Sequence, residues 1–191
     1  MISDLDILRK LVKDDALVFV QMNQYGKYYM ELNEGKGETG YTIKLLNPPE
    51  DTIAIKADML PALTGIFQNS KGECKRADFV IISMDNKNYW LIYIELKRGK
   101  NDREWEIIQQ LQGAACFIDY CRSIGRTFWK VSKFLESKDY KQRVVTVKNI
   151  GTDRCPSRNT RKPALHDRPE NMLIISAPPQ QSIQFKELLR V

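Results

Sequence analysis

Asp78-Phe-Val-Ile-Ile-Ser83 and Tyr89-Trp-Leu-Ile-Tyr-Ile-Glu95-Leu-Lys97, separated by Met84-Asp-Asn-Lys-Asn88, decide how this 191-residue chain folds. Two runs rich in β-branched and aromatic residues around a short polar linker read as a β-hairpin. Turning about Asn86-Lys87 pairs position i with position 173 − i, so Asp78 falls opposite Glu95. Side chains alternate along a strand, which puts Glu95 and Lys97 on one face. Two carboxylates and an ammonium are therefore expected together at the hairpin's open end. Such a group can hold a divalent metal and activate a water beside it. The plainer reading is a surface ion pair on an edge hairpin. It must explain why these charges follow Trp90-Leu-Ile-Tyr-Ile94, a run apolar on both faces and so expected in a central strand. Charges ending a buried strand are costly unless paired or bound.

Outward from the hairpin, Ser3 and the stripe Leu5, Leu8, Leu11 and Val12 predict a helix over 3–14. Strands are expected at 17–22, 27–32, 41–46 and 52–55, punctuated by Gly26, the Gly35–Gly40 loop and Pro48-Pro49. A short helix is expected over 57–67, with Pro61 confined to an early turn. After the hairpin, Asn101-Asp-Arg-Glu104 has capping-box spacing and opens a helix to about Ser123. Its inward stripe reads Trp105, Ile108, Leu111, Ala115 and Ile118, with Gly113 allowing another element close approach. A strand over 143–150, a long loop over 151–170, a last strand over 172–176 and a terminal helix around 183–189 complete the chain. The organisation expected is one domain: a helix and β-rich elaboration over 1–56, a core over 57–150, and a basic loop, strand and helix over 151–191.

Glu-x-Lys alone says little, because Glu34-Gly-Lys36, Glu73-Cys-Lys75 and Glu136-Ser-Lys138 repeat it. Only Glu95-Leu96-Lys97 ends an apolar strand whose partner begins with an aspartate. Together with Arg76-Ala-Asp78, where alanine stands in a position often held by proline, it resembles the PD-(D/E)XK phosphodiesterase superfamily. The order hairpin, helix, strand also looks like that family's core. The resemblance covers roughly residues 66–150, and the first 55 and last 40 residues carry none. It implies an α/β (α+β) fold with a restriction-endonuclease-like core: a central mixed sheet flanked by helices, plus the N-terminal β-rich region. It further implies that Asp78 and Glu95 bind Mg²⁺ or Mn²⁺ with the Leu96 carbonyl, and that Lys97 orients or deprotonates the attacking water. A further acid is often supplied from a preceding helix, with Asp58 and Glu73 as candidates. Gln112, bordering the inward stripe, resembles a glutamine that several branches place near the metal. Cys116 stands where the RecB-like pattern has tyrosine, and a glutamine bonded at a packing boundary explains Gln112 equally well.

Lys75, Arg76, Arg98 and Lys100 flank the proposed centre and are candidates for phosphate contact, though each also reads as solubilising charge. From Arg122 to Arg168 the chain carries thirteen Lys/Arg against four Asp/Glu, and its overall charge is only +6. That block can attract a polyanion, or it can be a solvated helix face and basic loop. Tyr25, Tyr28 and Tyr29 suit base stacking, or cross-strand packing.

Other chemistries are disfavoured. The four cysteines form no Cys-x-x-Cys pair, so reduced thiols and a cytoplasmic location are expected. No apolar run approaches the ~20 residues of a membrane span, and no secretory leader is read at the N-terminus. Gly35–Gly40 fits a dinucleotide fingerprint as a string but lies between β-like segments. His166, the only histidine, sits in the basic loop. The function expected is a metal-dependent nuclease, a DNA endonuclease of defence, restriction or repair, working as a homodimer. The alternative is a catalytically silent nucleic-acid-binding or assembly module on the same fold.

Overall fold

The computed structural model describes residues 2–35, 41–85, 88–98, 102–149, 165–178 and 181–190. Within them the protein is of mixed α+β class, with two sheets, two α-helices and more strand than helix. The strands are β1 (Leu17–Phe19), β2 (Gln21–Met22), β3 (Tyr28–Glu34), β4 (Tyr41–Leu46), β5 (Thr52–Lys56), β6 (Phe79–Asp85), β7 (Asn88–Lys97), β8 (Tyr140–Lys148), β9 (Leu173–Ser176) and β10 (Ser182–Gln184). The helices are α1 (Asp4–Leu11) and α2 (Glu104–Phe128).

The larger sheet runs β1-β5-β6-β7-β8-β9, antiparallel as far as β7 and parallel from β7 to β9. The hairpin lies at its middle. Phe79 pairs with Ile94 and Asp85 with Asn88, the register expected from the sequence. Phe79–Ser83 and Leu91–Leu96 are buried on both faces, as their unbroken apolar runs require. Thr52 and Ser83, buried hydroxyls on neighbouring strands, satisfy each other at 2.8 Å. The smaller sheet, β10-β4-β3-β2, packs against one face of the larger.

Alternation sorts the hairpin's side chains into two cores. Val80, Ile82, Leu91 and Tyr93 meet Leu5, Ile7 and Leu8 of α1 and Ile107, Leu111 and Ile118 of α2. Phe79, Ile81, Ile92, Ile94 and Leu96 meet Met30, Leu32, Ile43 and Leu45 of the smaller sheet. The result is three layers: helices, sheet, sheet. Each fully buried Ile, Leu or Phe adds roughly 1.5–3 kcal/mol.

Several expectations need correcting. The segment 57–67 forms no α-helix, only a 3₁₀ turn at Ala57–Met59, because Pro61 removes a donor one turn on. The single strand expected over 17–22 is two, since β1 joins the larger sheet and β2 the smaller. Helix α2 begins at Glu104 after Arg103, which makes no side-chain cap; Asn101 lies outside the described residues. The terminal helix is a short strand followed by a 3₁₀ turn, Phe185–Leu189. Residues 151–164 of the basic loop and part of Gly35–Gly40 also lie outside the described residues.

The stripe of α2 is rotated from the one expected. Ile107, Leu111, Gly113, Ala114, Ile118 and Cys121 are buried, whereas Trp105 is 50% exposed and Ile108 and Ala115 pack only at the margin. Gly113 explains the rotation. A Cβ there would lie 1.8 Å from the Lys75 carbonyl oxygen, so the helix rests directly on the segment that leads into Asp78. No helix among the described residues is long and apolar enough to cross a membrane.

Candidate active site

Asp78 stands just before β6, and its backbone ties three elements together. Its carbonyl accepts from Ala57 N–H at 2.9 Å, and its N–H donates to Glu95 Oε2 at 3.2 Å. Its own Oδ2 accepts from Leu96 N–H at 2.7 Å. Lys97 Nζ lies 2.5 Å from Glu95 Oε1. The hairpin therefore brings Asp78, Glu95 and Lys97 together at its open end. Alternation places the three on the face that carries α2. A strand residue turns its N–H and C=O to one side, so the Leu96 carbonyl faces the edge that holds Asp78.

Both acids are buried, Glu95 completely and Asp78 to 6% exposure. Burial pushes the Asp78 carboxyl well above the usual carboxylate range, and repulsion from Glu95 and Glu34 adds to this against the pull of Leu96 N–H and Lys97. Burial likewise raises Glu95 to about 7, although Lys97 opposes it. For Lys97, burial acts to lower the pKa, but the Glu95 ion pair with the charges of Asp78 and Asp102 outweighs it and the net shift is upward. One ammonium faces two buried carboxylates, which leaves a deficit of positive charge once both acids ionise.

The donor set fits a hard divalent cation. Glu95 Oε1 is buried with the Lys97 ammonium as its contact, while Oε2 accepts from Asp78 N–H. Two carboxylates and a carbonyl suit Mg²⁺ or Mn²⁺, because Mg²⁺ keeps several waters and takes one or two protein carboxylates. Among the described residues no group of three or more His, Cys, Asp or Glu is arranged to hold a metal, so a closed all-protein cage is not offered.

Of the two further acids, Glu73 is used elsewhere. Its carboxylate shapes the local turn, accepting from the N–H groups of Ser70 and Lys71, and backbone N–H groups, its own first and then that of Lys71, hold it below the usual range. Asp58 stays near, on the turn bonded to Asp78, with its charge acting on Glu34. The sequence reading missed Glu34 and Asp102. Glu34, at the end of β3, and Asp102, before α2, share a cavity of about 300 Å³ with Tyr41, Leu96, Lys97 and Arg98. Glu34 is raised by burial first, then by Asp58 and Asp102, against Lys97 and Arg98. The signal was faint, since nothing in one strand's alternation says which second-sheet residue reaches the hairpin's mouth.

Gln112 is not brought to the centre: it is exposed and donates to Glu170 Oε1 at 3.2 Å. The rotation of α2 instead presents Gln110 and Glu106, which line a second cavity of about 370 Å³ with Lys75, Arg76 and Lys97. Lys75 and Arg76 thus adjoin Lys97, with the Lys75 ammonium 4.6 Å from the Trp105 ring centre. Arg76 Nε is buried without a hydrogen-bond partner. Arg98 lines the Glu34 cavity, and Lys100 lies outside the described residues.

The basic block is partly spent on structure. Arg122 is buried and its Nε donates to the Leu135 carbonyl at 2.7 Å. Arg143, 7% exposed, stacks 4.9 Å from the Trp90 ring centre. Tyr29 lies under the Lys44 ammonium at 3.8 Å, whereas Tyr25 is 77% exposed. His166 Nδ1 is 2.7 Å from the Asn171 carbonyl oxygen, away from the hairpin's mouth in its bonding. Cys74, Cys116 and Cys121 are free thiols. No protein-family model, curated protein or solved structure matches the chain.

Proposed function

We propose that this protein is a metal-dependent nuclease of the PD-(D/E)XK type, a DNA endonuclease acting in defence, restriction or repair. The single observation that carries the reading is the contact set at the hairpin's mouth, with Asp78 bonded to both Glu95 and Leu96 and Lys97 paired to Glu95. A central antiparallel hairpin followed by a helix and a parallel strand supports a restriction-endonuclease-like core.

Asp78, Glu95 and the Leu96 carbonyl would hold Mg²⁺ or Mn²⁺. The bound ion supplies Lewis acidity, which eases ionisation of a nearby water and offsets charge building on the phosphate. Lys97 orients the attacking water and stabilises the same developing charge. Lys75 and Arg76, in the cavity that Lys97 shares, position the phosphate without reading sequence. Gln110, in the cavity that Lys97 shares, takes the place near the metal that the resemblance gave to Gln112. A homodimer supplies two such centres for cutting both strands.

The test is a panel of plasmid, linear duplex, single-stranded DNA and RNA, each with Mg²⁺, Mn²⁺ or EDTA, beside Glu95→Gln and Lys97→Met. Plasmid is expected to be nicked and linearised only with metal and only by the parent. Cutting that persists in EDTA or in Glu95→Gln refutes the mechanism. Retardation of DNA with steep salt dependence and no cutting in either metal selects the silent binding module instead.

A further inference from the structure

Lys97 lines both polar cavities at the hairpin's mouth, one with Lys75, Arg76, Glu106 and Gln110 and the other with Glu34, Tyr41, Arg98 and Asp102. Between them its ammonium rests 2.5 Å from Glu95 Oε1. That oxygen is the one Glu95 would offer to a divalent cation, since Oε2 accepts from Asp78 N–H. An ammonium in contact with the same oxygen repels such an ion at close range in a poorly screened place. We propose that Lys97 is the resident counter-ion of Glu95, that an incoming divalent cation displaces it, and that Glu34 and Asp102 receive the displaced ammonium.

This inference rests on the metal-dependent reading above and adds to it a competitor within the chain. The choice of receiving side follows from charge. Leaving Lys97 aside, Lys75 and Arg76 outnumber Glu106 in one cavity and repel an incoming ammonium, whereas Glu34 and Asp102 outnumber Arg98 in the other and attract it. Asp102 Oδ2 is buried and has no hydrogen-bond partner, so it gains one when Lys97 arrives. Glu34 sits among Asp58, Asp102 and Arg98, and the arriving ammonium offsets the two acids there. Glu34 and Asp102 are then positioning residues for Lys97 and not ligands of the ion.

The experiment is Mn²⁺ titration of the full chain at fixed pH, following free Mn²⁺ by electron paramagnetic resonance. The set is the parent, Lys97→Met, the double variant Glu34→Gln/Asp102→Asn, the triple variant, and Asp78→Asn as the control for the site. Lys97→Met is expected to bind Mn²⁺ about tenfold more tightly than the parent, a change of about 1.4 kcal/mol. Glu34→Gln/Asp102→Asn is expected to bind it several-fold more weakly, and that weakening should vanish when Lys97 is also methionine. Equal or weaker binding by Lys97→Met overturns the proposal. So does a loss in the double variant that persists without Lys97, because Glu34 or Asp102 then acts on the ion directly. If Lys97→Met does not fold, Lys97→Gln, which keeps a polar group beside Glu95 without the charge, replaces it in both the single and the triple variant. Binding by the parent that Asp78→Asn abolishes, with Lys97→Met unchanged, removes this inference alone. Absence of any Mn²⁺ binding removes it together with the nuclease reading.

Discussion

Asp4 and the Asp78–Glu95 pair show two ways in which this fold treats an inward carboxylate. Asp4, in the first turn of α1, accepts from Leu135 N–H at 3.0 Å and from the Tyr140 hydroxyl at 2.8 Å. Its Oδ2 is answered by two dipoles, which join the N-terminal helix to Leu135 and to the start of β8. Leu135 needs that hold, since its φ of 47° is unusual for a side chain of its size and its carbonyl is gripped by Arg122 on the other side. At the hairpin's mouth two acids are buried deeper, repel each other and share one ammonium. The first arrangement serves stability. The second costs stability, which points to a ligand that restores it.

The sharpest way to break the comparison is by activity. Asp78→Asn, Glu95→Gln and Lys97→Met should each lower metal-dependent cleavage by about 10³-fold or more, while Asp4→Asn leaves the rate per folded molecule unchanged. Initial rates on supercoiled plasmid measure both. A comparable fall in Asp4→Asn would erase the distinction.

Stability should separate the regions by sign. Asp4→Ala strands a buried N–H and a hydroxyl, and should cost about 3 kcal/mol, or ~6–12 °C in Tm for a chain of this size. Glu95→Gln should instead raise the Tm of the metal-free protein by a few degrees at about pH 8, because it removes an ion from a poorly solvated place. Scanning calorimetry of the two variants beside the parent decides. A large loss in Glu95→Gln would mean that the Lys97 ion pair outweighs desolvation.

The pH dependence follows from the same imbalance. Glu95 titrates near 7 in the folded protein and near 4.5 when exposed, so over that interval the folded state binds more protons than the unfolded one. Metal-free stability should therefore fall as pH rises from about 4.5 to about 7, with the raised Asp78 carboxyl adding to the loss in the same direction. Saturating Mn²⁺ should flatten that slope, since binding the ionised form replaces the proton. A Tm that rises with pH over this interval without metal contradicts the burial argument.

The hairpin was legible in the sequence because two unbroken apolar runs and a polar turn admit one register, and the register alone places Asp78 beside Glu95. Helix α2 was legible as a helix but not in rotation. Trp105 and Ile108 drew the stripe to one side, and Gly113, packed on the Lys75 carbonyl, turned it to the other. Leu111 and Ile118 belong to both stripes, so periodicity alone did not choose. Glu34 was illegible for a different reason. It reaches the site through packing between two sheets, and no local pattern encodes which residue of β3 ends there.

The smallest expected effect tests that rotation. Gln110→Ala should lower cleavage by about tenfold, whereas Gln112→Ala, which loses only an exposed bond to Glu170, should change stability by less than about 0.5 kcal/mol and activity not at all. The reverse ranking would restore the stripe read from sequence.

The most direct test of the central claim is to locate Mn²⁺ by anomalous scattering in crystals of the parent and of Asp78→Asn. The account predicts one ion between the Asp78 and Glu95 carboxylates in the parent and none there in the variant. An ion bound elsewhere, or a mouth still closed by Lys97 on Glu95 at saturating Mn²⁺, would contradict it.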